Sequence, residues 1–251
     1  MTENITGAYC AYKTGNKISG RDRLTMFSFE EIRPLFTGVP CPYDHQTQTK
    51  EYEEYKGAEL YLLFLVKDFK RPATDDRRVY TKTSNWFIID IDKFSFETPK
   101  EKAFEILKND SPPFVRFIQL TGKGLHIWCH SAGVMNTENS WTHTYDVAAT
   151  VIWKLLDGRL KFDGRNRSVT QGAYLWRHRE ENNYDNPRYE EGYIVDGECL
   201  EVEKLYTNKK NRDDSTQSKT GAVSTTTTTK TSEAVRPKDY FTDTLFMTDY
   251  Q

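Results

Sequence analysis

Cysteine pairs, a long apolar run and an excess of one charge are all missing from these 251 residues. The four cysteines, Cys10, Cys41, Cys129 and Cys199, form no CxxC pair and keep no regular spacing. That excludes a disulfide framework or a cysteine-rich zinc site as the organising device of the fold. Cys41 and His45 supply only half of a zinc site. Free thiols fit a reducing, intracellular compartment. No stretch approaches the roughly 18 apolar residues that span a bilayer, so no membrane role is expected. Met1-Thr2-Glu3-Asn4 lacks the basic-then-apolar run of a signal peptide. Lys and Arg number 35 against 37 Asp and Glu, a formal net charge of −2. Without a global basic excess, any nucleic-acid surface has to be a local patch.

Aliphatic and aromatic residues are plentiful as far as Tyr206, enough to bury a core over residues 1–206. From Thr207 the chain turns polar and charged, then runs into a threonine tract ending at Lys230. Such a stretch buries too little apolar area to offset chain entropy, so 207–237 is expected to be a disordered linker. Residues 238–251 gather Tyr240, Phe241, Leu245 and Phe246 among acids. That suits a short docking peptide for a basic groove, for example on a helicase or a single-strand-binding protein.

Periodicity places the elements of the folded part. Ser28-Phe29-Glu30-Glu31 has capping-box spacing and predicts a short helix through Leu35. Glu59–Asp68 and Trp86–Asp92 are continuous apolar runs that read as buried strands. Thr98-Pro99-Lys100-Glu101 predicts a helix start, with Phe104, Ile106 and Leu107 as its stripe and Pro112-Pro113 as its stop. Phe114–Leu120 and Leu125–His130 read as strands around Thr121-Gly122-Lys123-Gly124. Trp141, Tyr145, Ala148, Ile152 and Leu155 share one face of a helix that ends near Asp157-Gly158. Val169–Trp176 is a further strand, and Gly192–Val195 another candidate. The order strand, helix, strand, strand, helix, strand predicts an α/β (α+β) fold. It is a mixed sheet with a ferredoxin-like or RNA-recognition-motif unit, and Asn4–Arg71 adds a second α/β layer.

Three clusters carry chemistry. Asp90 and Asp92 flank Ile91 on a strand, so both carboxylates face one side and repel unless a cation lies between them. Magnesium or manganese, which prefer oxygen ligands, fits such a pair. In Thr121-Gly122-Lys123-Gly124-Leu125-His126 the glycines bring backbone amides toward phosphate oxygens, Thr121 adds a hydroxyl, Lys123 a charge and His126 a donor. Asp157 offers a third carboxylate, with Asp163 as the other candidate, and Arg165 and Arg167 offer forked hydrogen bonds to phosphate.

Together, in this order, the clusters resemble the archaeo-eukaryotic primase superfamily, including the primase-polymerases of plasmids, phages and mobile elements. The apolar strand ending in Asp90-Ile91-Asp92, the turn leading to His126, and Leu156-Asp157 with its following arginines are similar to that superfamily's three motifs, over roughly residues 59–179. The stretch also looks like the VirE-grouped N-terminal domains of mobile-element proteins. The resemblance implies a nucleotidyltransferase acting on nucleoside triphosphates and a DNA template, inside a prokaryotic cell or the host of a virus or plasmid. Asp90, Asp92 and Asp157 would hold two Mg²⁺ or Mn²⁺ ions. Thr121, Gly122, Lys123, His126, Arg165 and Arg167 would bind the nucleotide.

Two other readings use the same residues. One is a nucleotide- or single-strand-binding module with a weak active site. The other is a rolling-circle replication nuclease, which needs two histidines one residue apart, whereas His126 and His130 are four apart and about 13 Å distant along a strand.

Overall fold

The computed structural model describes residues 7–12, 24–67, 82–131 and 137–206 of the protein. The linker expected at 207–237 and the docking peptide expected at 238–251 lie outside the described residues. In chain order the first elements are β1 (Gly7–Tyr12), β2 (Leu24–Ser28), α1 (Phe29–Ile32), a 3₁₀ turn (Arg33–Phe36), α2 (Thr49–Glu59), β3 (Tyr61–Phe64), β4 (Val66–Lys67) and β5 (Lys82–Thr83). They are followed by β6 (Trp86–Lys93), α3 (Lys100–Asp110), β7 (Val115–Leu120), β8 (Leu125–His130), α4 (Glu138–Leu155), β9 (Lys161–Phe162), β10 (Ala173–Tyr174), β11 (Asn183–Asp185) and α5 (Val202–Leu205). The fold is α+β, as the order of elements predicted.

The central sheet runs β11-β7-β8-β6-β9 and a second sheet runs β10-β3-β1-β2. Within the first, the spatial order of β6, β7, β8 and β9 is that of a ferredoxin-like unit, with α3 and α4 as its two connections. The expected mixed sheet is corrected in one respect: among the described strands of this sheet, the pairings between neighbours are antiparallel. β6 and β7 do run parallel, as the crossover through α3 requires. β8 is inserted between them and pairs antiparallel with both.

Local chemistry explains most boundaries. Ser28 caps α1 reciprocally with Glu31, the predicted capping box, but the α-helix ends at Ile32 and Pro34 follows in a 3₁₀ turn. In α3 the cap position falls on Pro99 rather than Thr98. The Glu59–Asp68 run is three pieces, the end of α2, then β3, then β4. β3 is an inner strand between β1 and β10, which is why Leu62, Leu63 and Phe64 are all buried. Only Ala173–Tyr174 of the expected Val169–Trp176 strand pairs, and Gly192–Val195 is not a strand. α4 is capped by Thr137 and buries Trp141, Tyr145, Ala148 and Ile152; Leu155 is half-buried and Leu156 takes the innermost place instead.

The central sheet has two faces of different character. Phe87, Ile89 and Ile91 of β6 join Ile118, Leu125, Ile127 and the stripes of α3 and α4 in one dry core. On the opposite face, Trp86, Ile88, Phe117 and Trp128 pack against Phe29 and Phe36 of the other layer. Phe29 stacks on Trp86 with ring centroids 4.6 Å apart, and each such burial stabilises by roughly 1.5–3 kcal/mol. Farther along this second face the side chains of β6 and β8 become Asp90, Asp92 and His126, and the packing opens into a cavity.

Candidate metal centre

Alternation along β6 puts Asp90 and Asp92 on the cavity face because Ile91 is needed on the dry one. β9 pairs with β6 through Ile91 and Phe162, and Phe162 is buried in the same dry core. Asp163, the next residue, therefore turns to the cavity face. Its amide donates to the Asp90 carbonyl at 2.9 Å, which locks the two strands together at this point. Asp90, Asp92 and Asp163 each offer a carboxylate oxygen within 4.8 Å of the others, and this triad could hold a metal ion.

Burial and mutual repulsion dominate the electrostatics of the triad. Asp90 is partly buried, and desolvation is the main cause that holds its carboxyl well above the usual range; the charges of Asp92 and Asp163 add to it. Arg165 and a hydrogen bond from Asn166 Nδ2 to Asp90 Oδ2, 3.2 Å long, oppose that shift. Asp90 Oδ1 is shielded from solvent and accepts no hydrogen bond. Its near neighbour His126 stands with Nε2 3.7 Å away, across the β6–β8 ladder. A buried, unpaired carboxylate oxygen carries a desolvation cost that a coordinated cation removes. The all-oxygen donor set fits a hard ion such as Mg²⁺ or Mn²⁺.

Asp157 is not part of this group, which corrects its assignment as the third acid. It sits just past α4 in a left-handed conformation (φ 66°), is largely exposed, and pairs with Arg159 at 3.5 Å. Arg167 is corrected as well. Its guanidinium grips the buried Asp146 of α4 through bonds of 2.6 and 2.8 Å, and Tyr206 Oη donates to the same carboxylate at 2.7 Å. This is a structural clamp on the helix, away from the cavity lining. Arg165 does line the cavity, bonded to Asp163 from Nε at 2.8 Å and also from Nη2.

The turn between β7 and β8 comes beside the triad, with Thr121, Gly122, Lys123 and His126 on the cavity wall. Thr121 also shapes the turn itself. Its hydroxyl accepts from the amides of Lys123 (3.3 Å) and Gly124 (2.8 Å), so those amides are spent on shaping the turn. Lys100 Nζ braces the turn from α3 by donating to the carbonyls of Gly122 (2.7 Å) and Thr121 (3.2 Å). Gly124 packs so closely on β6 that a Cβ there would lie 1.8 Å from the Ile91 carbonyl oxygen. His126 is neutral: burial, with a smaller contribution from His178, pushes it down to about 3. It is a neutral donor rather than a cation. His130 lies apart from the triad, with Nδ1 2.7 Å from Tyr189 Oη and its ring against Trp86, so the two histidines do not form a joint site.

The cavity has a volume of about 360 Å³, within the range of small-molecule sites. Beyond the triad it is lined by residues to which the sequence drew no attention, chiefly Tyr52, Lys56, Tyr174, Trp176, Arg177 and His178. Comparison with protein-family models, curated proteins and solved structures gives no match. Among the described residues, no helix is long and apolar enough to cross a membrane.

Proposed function

We propose that the protein is a metal-dependent nucleotidyltransferase of the primase-polymerase kind, adding nucleotides to a strand on a DNA template. The observation that carries the reading is the shielded, unpartnered Asp90 Oδ1 held beside the carboxylates of Asp92 and Asp163. Mg²⁺ or Mn²⁺ bound there would supply Lewis-acid neutralisation of phosphate charge and would ease deprotonation of an attacking hydroxyl. The protein's own groups hold and orient. Asp90, Asp92 and Asp163 would hold the ion, and Asn166 fixes the Asp90 carboxylate by its hydrogen bond. Lys123, on the braced turn, offers an ammonium to the triphosphate, and neutral His126 offers an N–H. Arg165, bonded to Asp163 on the cavity wall, would offer the rest of its fork to phosphate oxygens. No side chain of the cavity needs to act as a covalent nucleophile; positioning and charge neutralisation suffice for phosphoryl transfer.

The double grip of Arg165 on Asp163 favours a second reading, a nucleotide-binding module with weak turnover, because it already neutralises one of the three acids. One assay separates the two. Labelled ribo- and deoxynucleotides are offered with and without a primed template, in Mg²⁺ and in Mn²⁺. Incorporation that is lost in Asp90→Ala and Asp163→Ala but kept in Asp157→Ala supports the transferase. Incorporation that survives loss of Asp90 and Asp163 overturns the assignment. Nucleotide binding with no incorporation in either metal leaves the binding module.

A further inference from the structure

The helix that roofs the cavity is built in an unusual way. α2 (Thr49–Glu59, TKEYEEYKGAE) has no Leu, Ile, Val, Met or Phe, and Gly57 is its only buried residue. Its inward positions are Tyr52, Tyr55 and Lys56, all half-buried. A helix normally earns its place by burying an aliphatic stripe. This one instead lays tyrosines and a lysine over an open cavity. Tyr52 stacks on Trp176 with centroids 5.2 Å apart and planes at 24°, and Tyr174 lies next to Trp176 at 6.5 Å. Cations border the aromatic group: Lys123 Nζ is 5.6 Å from the Tyr52 centroid and Lys56 Nζ 4.6 Å from that of Tyr174. Arg177 is exposed at the same wall. Tyr52 and Trp176 line the same cavity as Asp90 and Asp92, so the aromatic wall and the carboxylates face one space.

We infer that the Tyr52–Trp176 wall is a nucleobase subsite, on which the base of a nucleoside triphosphate stacks while its phosphates reach Lys123 and the carboxylate-held cation. This rests on the proposed function and adds to it the half of the ligand that the metal centre does not contact. Three features point to a base rather than to a bare polyphosphate or a sugar phosphate. The wall is built from aromatic rings, it is half-buried and so gains by being covered, and its cations are placed to border a flat ring. Stacking reads any base through its π-face, so the subsite accepts purines and pyrimidines alike.

The test compares ATP with ribose 5-triphosphate, which differs only by lacking the base, by calorimetry with the full-length protein in Mg²⁺. The expected result is that ATP binds about 5- to 150-fold more tightly, the range for one stacked base. Trp176→Leu and Tyr52→Leu should each draw the ATP affinity toward that of ribose 5-triphosphate, and leave the latter unchanged. Equal affinity of the two ligands for the unaltered protein overturns the subsite, while the metal-centre reading stands. If neither ligand binds, the proposed function falls and the subsite falls with it. The comparison on the unaltered protein decides the matter even if a variant fails to fold.

Discussion

Replacing Asp90 by asparagine should make the metal-free protein more stable and the metal-loaded protein less so. The side chain keeps its shape, and an amide oxygen can still accept from Asn166, but the buried negative charge is gone. Because the folded-state pKa of Asp90 is raised, its contribution to stability is fully present below the ordinary carboxylate value near 3.8 and is lost as pH rises through the folded value. In EDTA the variant's melting temperature should therefore exceed that of the unaltered protein. The gap should widen as pH climbs above about 4. Cation reverses the order. At a hundred times its dissociation constant a bound ion adds about 2.7 kcal/mol, which is about 5–11 °C for the unaltered protein. Asp90→Asn and Asp163→Asn should lose most of that gain. Asp157→Asn should retain all of it, since Asp157 is exposed and asparagine accepts its left-handed backbone. Differential scanning fluorimetry with EDTA, Mg²⁺ and Mn²⁺ across pH 4 to 8 reads all of these. The reasoning is refuted if the unaltered protein shows no cation-dependent rise, or if Asp90→Asn melts below it in EDTA.

Two further outcomes follow from geometry outside the carboxylates. Gly124→Ala forces a methyl group against the Ile91 carbonyl and should cost about 1–3 kcal/mol by displacing β6 or the turn, whereas Gly122→Ala, with open space around it, should stay within about 0.5 kcal/mol; thermal melts compare them. His130 is buried with its pKa pushed down to about 4, so its contribution is present above pH 6.5 and is lost as pH falls toward 4. This amounts to about 2 kcal/mol at pH 5, and His130→Gln should flatten the melting curve over that window.

The parts of the fold that were legible in the sequence are those where one physical pressure dominates. The alternation of β6 and the four-three stepping of α4 both reflect a dry core that tolerates no polar intrusion, and the ferredoxin-like order follows from how such elements connect. α2 left no such trace, because its inward face is tyrosine and lysine and carries no apolar period. The third acid shows how a pattern can be right and its placement wrong. An apolar residue followed by an acid describes Leu156-Asp157, but it describes Phe162-Asp163 equally well. The choice between them is made by strand pairing. β9 is only two residues long, and its partnership with Ile91 of β6 carries Asp163 to the cavity, whereas α4 ends by turning Asp157 out to water. Arg167 was misread for a similar reason: its partner Asp146 lies 21 residues earlier, on a helix position that looks ordinary in one dimension. The aromatic wall is drawn from α2 and from the segment around β10, far apart in the chain, so only the folded protein brings Tyr52 to Trp176.

The division of the central sheet into a dry face and a chemically equipped one has an evolutionary consequence. Along β6, Phe87, Ile89 and Ile91 serve the dry core, whereas Asp90 and Asp92 serve the cavity. Asp90 and Asp163 are tied by main-chain pairing rather than by their side chains, which means the scaffold would hold a different pair of residues at the same spacing just as firmly. A sheet organised in this way lets selection rewrite ligand chemistry one position at a time without first having to repair the core.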